Sequence, residues 1–289
     1  MRGFAAVIPA RNESRTITNV VSAASRHVDT VIVCDDGSTD DTRELAKLAG
    51  AQVVLNFGPN GYGAALNCAA QAATKLGFSG IVTLDSDGAH DPDEIGNLLK
   101  YHVQSSSDLT IGSRFTEIQR CEVPTPKLHA NMFAKGLFNR AVPINVSDLL
   151  SGMRVISGDA LRILPDVRNF SWTPRLIDEA VQMKHIINEY PISVRYNAAS
   201  LHSTQAIEIV HFLEYVLELY IRNGQECIQV EKMLELIHSW SAFRVIFDQF
   251  EYFLFPVLEH KSYIFQKQID VFYRDQDSGT RIFVEETGG

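Results

Sequence analysis

Along the first half of the chain one pattern recurs: a short run rich in β-branched residues, a turn of Gly, Asp and Ser, then apolar positions at helical spacing. The runs Phe4–Ile8, Thr30–Cys34, Gln52–Leu55, Gly80–Leu84 and Leu109–Gly112 are continuously apolar rather than alternating. Strands covered on both faces have that pattern, so the chain predicts an α/β fold with a mostly parallel, twisted sheet flanked by helices. From His185 the pattern changes. Ile186–Tyr196 reads as a further strand interrupted by Pro191, and Ile207, Val210, Leu213, Leu217, Tyr220 and Ile221 share one helical face, with Glu214, Glu218 and Arg222 on another. Val230–Leu258 reads as aromatic-rich helix and Gln268–Glu285 as a closing hairpin turning at Asp277-Ser278-Gly279. Residues 1–223 therefore form one expected domain, and 224–289 a helical and hairpin extension.

In doubly wound sheets ligands bind beyond the carboxyl ends of the strands, which directs attention to Arg11–Glu13, Asp35–Ser38, Gly58–Gly63 and Asp85–His90. Asp85-Ser86-Asp87 places two carboxylates on the loop leaving a buried strand. Two such charges repel unless a cation lies between them, and a hard divalent ion such as Mg²⁺ or Mn²⁺ takes carboxylate oxygens and completes its shell with phosphates. A turn with two solvated acids is the plain alternative. Asp91-Pro92-Asp93-Glu94 reads as a helix start, with Asp91 as cap and Pro92 at the first helical position. Asp35-Asp36-Gly37-Ser38 suits turn chemistry equally, or a carboxylate accepting from a base or ribose. The glycines of Gly58–Gly63 match neither the P-loop nor the dinucleotide-binding spacing.

Charge and cysteine narrow the classes. Lys plus Arg is 26 against 35 for Asp plus Glu, a net charge of −9 that argues against a nucleic-acid partner. Cys34, Cys68, Cys121 and Cys227 form neither a zinc pattern nor a disulfide framework, which fits a reducing cytoplasm. The first nine residues are too short an apolar run for a signal peptide, and Ala242–Leu258 is interrupted by Arg244, Asp248 and Glu251. No transmembrane segment is expected. The aromatic tail, Phe243, Phe247, Phe250, Tyr252, Phe253 and Phe255, reads first as packing against the preceding domain, with a homo-oligomer contact or a peripheral membrane face as alternatives.

Five motifs, in order, now carry a resemblance. Val7-Ile8-Pro9-Ala10-Arg11-Asn12-Glu13, Val33–Asp40, Asp85-Ser86-Asp87 with His90-Asp91-Pro92, Gly112-Ser113-Arg114-Phe115 and Asp148–Arg154 resemble glycosyltransferase family 2, most closely its dolichyl-phosphate mannosyltransferase branch. The likeness runs through Glu189-Tyr190-Pro191-Ile192 and Arg195 to about residue 222. It implies the GT-A fold and an inverting, metal-dependent transfer of a sugar from a GDP- or UDP-linked donor to an acceptor such as polyprenyl phosphate. By the resemblance Pro9, Arg11, Glu13, Asp36 and Ser86 line the donor pocket, Asp85 and Asp87 bind Mg²⁺ or Mn²⁺, and Arg114 and Arg195 face substrate phosphates.

The chain departs from that branch at three places. Ala89 stands where a side-chain metal ligand is usual, Ala198 and Leu201 replace a Gly and a Lys of a phosphate-contacting motif, and Ala130 replaces an arginine aimed at the lipid phosphate. An ionised phosphate acceptor needs no general base, whereas an alcohol does, for which Asp148, Asp178 and Glu179 are the candidates. The rival readings are a cytosolic transferase with a small soluble hydroxyl acceptor and a nucleotide-sugar-binding protein whose chemistry has lapsed.

Overall fold

The structure is a computed structural model that describes residues 2–58, 60–116, 125–195 and 206–224 of the 289. The expected tail helix and hairpin, the Ala198–Leu201 departure, Cys121 and Cys227 lie outside the described residues, as does the side chain of Ala130.

Seven strands form a single sheet: β1 (Arg2–Ala10), β2 (Thr30–Asp35), β3 (Gln52–Leu55), β4 (Phe78–Thr83), β5 (Leu109–Ser113), β6 (Arg154–Ser157) and β7 (Ile187–Pro191), in the order β3-β2-β1-β4-β6-β5-β7. Helices α1 (Ile17–Ala24), α2 (Thr42–Leu48), α3 (Tyr62–Lys75), α4 (Ile95–Gln104), α5 (Thr125–Ala141) and α6 (Trp172–Gln182) lie between successive strands, and α7 (Ala206–Arg222) follows β7. Of the described pairings, β1·β2, β1·β4, β2·β3 and β5·β7 are parallel, so the mostly parallel sheet expected from the continuous apolar runs is what forms. Ile8, Val33, Val82, Leu84, Ile95, Leu98 and Val155 are buried together in one core on the sheet. The inward face of α3 is small, Ala65, Ala69, Ala70 and Ala73 beside Leu66, which lets the helix lie close to the strands beneath it.

Two elements differ from the sequence reading by more than one or two residues at an end. The strand expected at Ile186–Tyr196 stops at Pro191, on the outermost strand of the sheet, with the Ile192 amide making one further bond to the Ser113 carbonyl at 3.0 Å. The chain then turns back, and Val194 makes an isolated antiparallel bridge with His90. β6 has no counterpart among the strands that the apolar runs predict. This four-residue strand runs antiparallel between β4 and β5, pairing Arg154 with Thr83 on one side and Ile111 on the other. Because it runs the opposite way, its first residues begin where β4 ends. That carries the 148–154 motif to the carboxyl edge of the sheet, beside Asp85.

Candidate functional site

The acid turn follows directly from β4. Leu84 is buried, Asp85 half-buried, Ser86 buried and Asp87 half-buried, so the two carboxylates share the open side while Ser86 faces inward. There the Ser86 hydroxyl donates to the Pro9 carbonyl at 2.8 Å, fastening the turn to the end of β1. Asp87 Oδ1 accepts from the Ala89 amide at 2.9 Å. Asp85 Oδ1 accepts from the Tyr62 hydroxyl at 3.0 Å, and its Oδ2 lies 3.5 Å from Nδ1 of the buried His90. Gly152 backs this carboxylate closely: a Cβ added there would overlap both of its oxygens. Downstream, Asp91 caps the helical turn at Pro92 by accepting from the Asp93 amide, as the sequence implies, but Glu94 accepts from the Ser193 amide at 3.2 Å.

Around the turn lie the loops leaving β1 and β2. Asn12, at φ 58, bridges them: its amide donates to the Ser38 hydroxyl and its side-chain carbonyl accepts from Thr39. Glu13 beside it is half-buried. Burial raises its carboxyl above the usual value, the Thr16 hydroxyl opposes this, and the charges of Asp87, Asp85 and Asp40 push it further up. Glu13 thus registers the negative potential that the acid turn creates. Arg11 is exposed on the same loop. Of the Asp35-Asp36 pair, Asp35 is bound to Arg43 at 2.6 Å and to the Ser38 amide, whereas Asp36 accepts from Asn56 at 2.6 Å and from the Gly61 amide at 2.8 Å. Gly61, at φ 153, has no room for a side chain against the Arg168 carbonyl, and the Gly63 amide donates to that carbonyl at 3.0 Å. The Gly-rich loop therefore holds Asp36 and closes against the 165–172 segment.

Arg114, at the end of β5, grips Asp148 with Nε on Oδ2 and Nη2 on Oδ1, each at 2.7 Å, and its own amide adds a third bond. Asp148 is fully buried; burial alone would raise its carboxyl, but the Arg114 charge and hydrogen bonds hold it below the ordinary range. Asp178 is likewise engaged, with Arg222, Tyr215 and Gln182 on its two oxygens. Glu179 is half-buried and its carboxyl is raised, first by burial and then by Asp178. The Arg195 amide donates to the Ala89 carbonyl at 2.8 Å, which brings this residue beside the acid turn with a side chain 85% exposed. Pro9, Ser86, Asp85, Asp87, Asp36, Glu13 and Arg195 therefore share one edge of the sheet, while Asp178 belongs to the α6–α7 contact.

Two residues were not singled out in the sequence. Tyr62, hidden in a loop read only for its glycines, meets Asp85 and stacks on Phe170 at 4.6 Å. Arg154 is wholly buried, donates to the carbonyls of Leu149 and Thr173, and leaves Nε without a hydrogen-bond partner. Burial lowers its guanidinium to about 10, while Tyr62, Asp148 and Asp85 act to retain the charge. Among the described residues no three His, Cys, Asp or Glu side chains are grouped as metal ligands. Two acids suffice where water and phosphate supply the other donors, and all-oxygen donors suit Mg²⁺ or Mn²⁺.

A model of the family described as "Glycosyl transferase family 2" matches residues 5–164. The UDP-N-acetylglucosamine–dolichyl-phosphate N-acetylglucosaminyltransferase of Methanococcus voltae is 28% identical over 217 residues, covering 68% of this chain and 86% of the relative. The dolichyl-phosphate hexose transferase of Haloferax volcanii is 27% identical over 197 residues, covering 68% and 84%. Among solved structures, glucosyl-3-phosphoglycerate synthase of Mycobacterium tuberculosis in complex with UDP superposes with a TM-score of 0.58 at 25% identity, covering 78% of this chain and 81% of that one. The mixed sheet and its flanking helices form the GT-A fold that the sequence resemblance implied.

Proposed function

This chain belongs to glycosyl transferase family 2 and is a glycosyltransferase, and we propose that it moves a sugar from a nucleotide-diphospho-sugar to a polyprenyl phosphate, using Mg²⁺ or Mn²⁺. The observation that carries this is the acid turn at the carboxyl end of β4, pinned to β1 by Ser86 and faced by the Glu13 loop. Asp85 and Asp87 are the residues that would hold the cation. When bound, it would neutralise negative charge developing on the departing diphosphate.

The chain's own residues do the positioning. Asp36, held at the end of β2 by Asn56 and Gly61, stands where a base or ribose would present donors. Pro9 and Arg11 line the adjoining end of β1. Arg195, exposed and tied by its backbone to the acid turn, has its guanidinium 3.7 Å from Asp91 Oδ2, a solvated pair that phosphate oxygens could replace with a two-point contact. We read Asp148, with both oxygens bonded to Arg114, as the partner that orients this arginine. A phosphate acceptor is already ionised near neutrality and needs no base, so the scheme asks for none. Attack opposite the leaving diphosphate inverts the anomeric centre. The names of the archaeal relatives support the lipid acceptor.

The test supplies purified protein with radiolabelled UDP- and GDP-sugars, Mn²⁺, and either polyprenyl phosphate or 3-phosphoglycerate. Label extracted into organic solvent, abolished by EDTA and reduced at least a hundredfold in Asp87→Ala, is the expected result. Label transferred only to the water-soluble acceptor overturns the lipid assignment. Donor binding without transfer to either acceptor favours the lapsed binding protein.

A further inference from the structure

We propose that Tyr62 is a positioning residue for the acid turn, its hydroxyl fixing the orientation in which Asp85 meets the cation; this rests on the metal reading above. The hydroxyl donates to Asp85 Oδ1 at 3.0 Å. The other groups around this carboxylate do different work. Gly152 limits its position by contact alone. His90 Nδ1 is 3.5 Å away, a long approach for a hydrogen bond. Arg154 lends positive charge from beneath, but its bonded nitrogens go to the carbonyls of Leu149 and Thr173. Tyr62 therefore supplies the short side-chain hydrogen bond to Asp85.

The hydroxyl is itself held on a rigid mount. Tyr62 is the first residue of α3, between the close-packed Gly61 and Gly63, and its ring lies nearly parallel to Phe170, at 12° and 4.6 Å. Phe170 sits in the 165–172 segment, which is strapped to α3 twice: Asn67 donates to the Pro165 carbonyl at 2.7 Å and accepts from Trp172 Nε1 at 2.9 Å. Oδ1 of Asp85 is thereby committed to a donor on this mount, which sets how the carboxylate is turned, while Oδ2 lies against Gly152 and 3.5 Å from His90 Nδ1. Groups that orient ligating carboxylates in this way typically change metal affinity or activity about 10–100-fold when removed.

Tyr62→Phe removes the hydroxyl and keeps the ring on Phe170, so the fold is retained while the hydrogen bond is lost. Mn²⁺ is titrated into the full chain with saturating UDP or GDP, by electron paramagnetic resonance, for wild type, Tyr62→Phe, Phe170→Leu and Asp85→Asn. Wild type should bind. Tyr62→Phe should bind at least about tenfold more weakly with an unchanged melting temperature, and excess Mn²⁺ should restore its transfer rate. Phe170→Leu, which keeps the hydroxyl, should lose melting temperature more than Mn²⁺ affinity. Equal Mn²⁺ affinity in wild type and Tyr62→Phe, with Asp85→Asn weakened, overturns the role of Tyr62 and leaves the metal reading standing. Wild type that takes up no Mn²⁺ overturns both.

Discussion

At the scale of single residues, what decides a side chain's role is whether its hydrogen-bonding capacity is already spent. Asp35 and Asp36 are neighbours of one chemistry and both are buried, yet Asp35 is paired with the Arg43 guanidinium as well as the Ser38 amide, while Asp36 accepts from two neutral donors, the Asn56 side chain and the Gly61 amide. Nothing in the string Asp-Asp-Gly-Ser separates the two. Arg114 and Asp148 show the same effect across 34 positions: each was legible as a charged residue in a motif, but not as the other's partner. Removing one member of a buried ion pair strands the other charge away from water. Arg114→Ala should accordingly lower unfolding free energy by about 3–5 kcal/mol, read from denaturant midpoints, and Arg114→Lys should recover only part because an ammonium cannot bond both carboxylate oxygens in a fork.

At the scale of elements, apolar runs were good guides wherever a strand lies buried among parallel neighbours. β3 coincides with its expected span, β2 and β5 each run one residue further at their ends, and β1 and β4 differ from theirs by one or two residues at both ends. β6 escaped because four residues containing an arginine carry no period, and only pairing on both edges makes them a strand. The 165–172 strap was equally silent, since it depends on Asn67 meeting residues about a hundred positions away. Asn67→Ala would leave Trp172 Nε1 and the Pro165 carbonyl without these partners. It should cost about 1–3 kcal/mol in chemical denaturation and speed hydrogen exchange at the Gly63 amide, which the strap's Arg168 carbonyl holds.

At the scale of the whole molecule, burial and ion pairing together set the response to acid. Burial by itself would raise Asp148 and Asp178, but Arg114 in one case, and Arg222, Tyr215 and Gln182 in the other, hold both carboxyls below their ordinary value. Asp40 is held at about 2, its hydrogen bonds from Thr42 and Ser14 outweighing desolvation. A depressed folded value means that the ionised form stabilises the fold above the unfolded value near pH 4, and that this contribution disappears as pH falls through the folded value. The contribution of these aspartates to melting temperature should be lost below about pH 4, with Asp178→Asn less stable at neutrality and less sensitive to acid in that range; a wild-type curve that stays level from about pH 4 to 2 contradicts this assignment. Among the described residues no helix is long and apolar enough to cross a membrane. The chain by itself determined the α/β layering, the strand ends where chemistry collects and the family, because apolar runs and short motifs are local in sequence. The tertiary structure alone decided that an antiparallel strand returns Gly152 and Arg154 to Asp85, that Tyr62 reaches it from α3, and that Arg114 closes on Asp148. Those are contacts between distant segments, and their existence depends on strand order and burial, which no local pattern encodes.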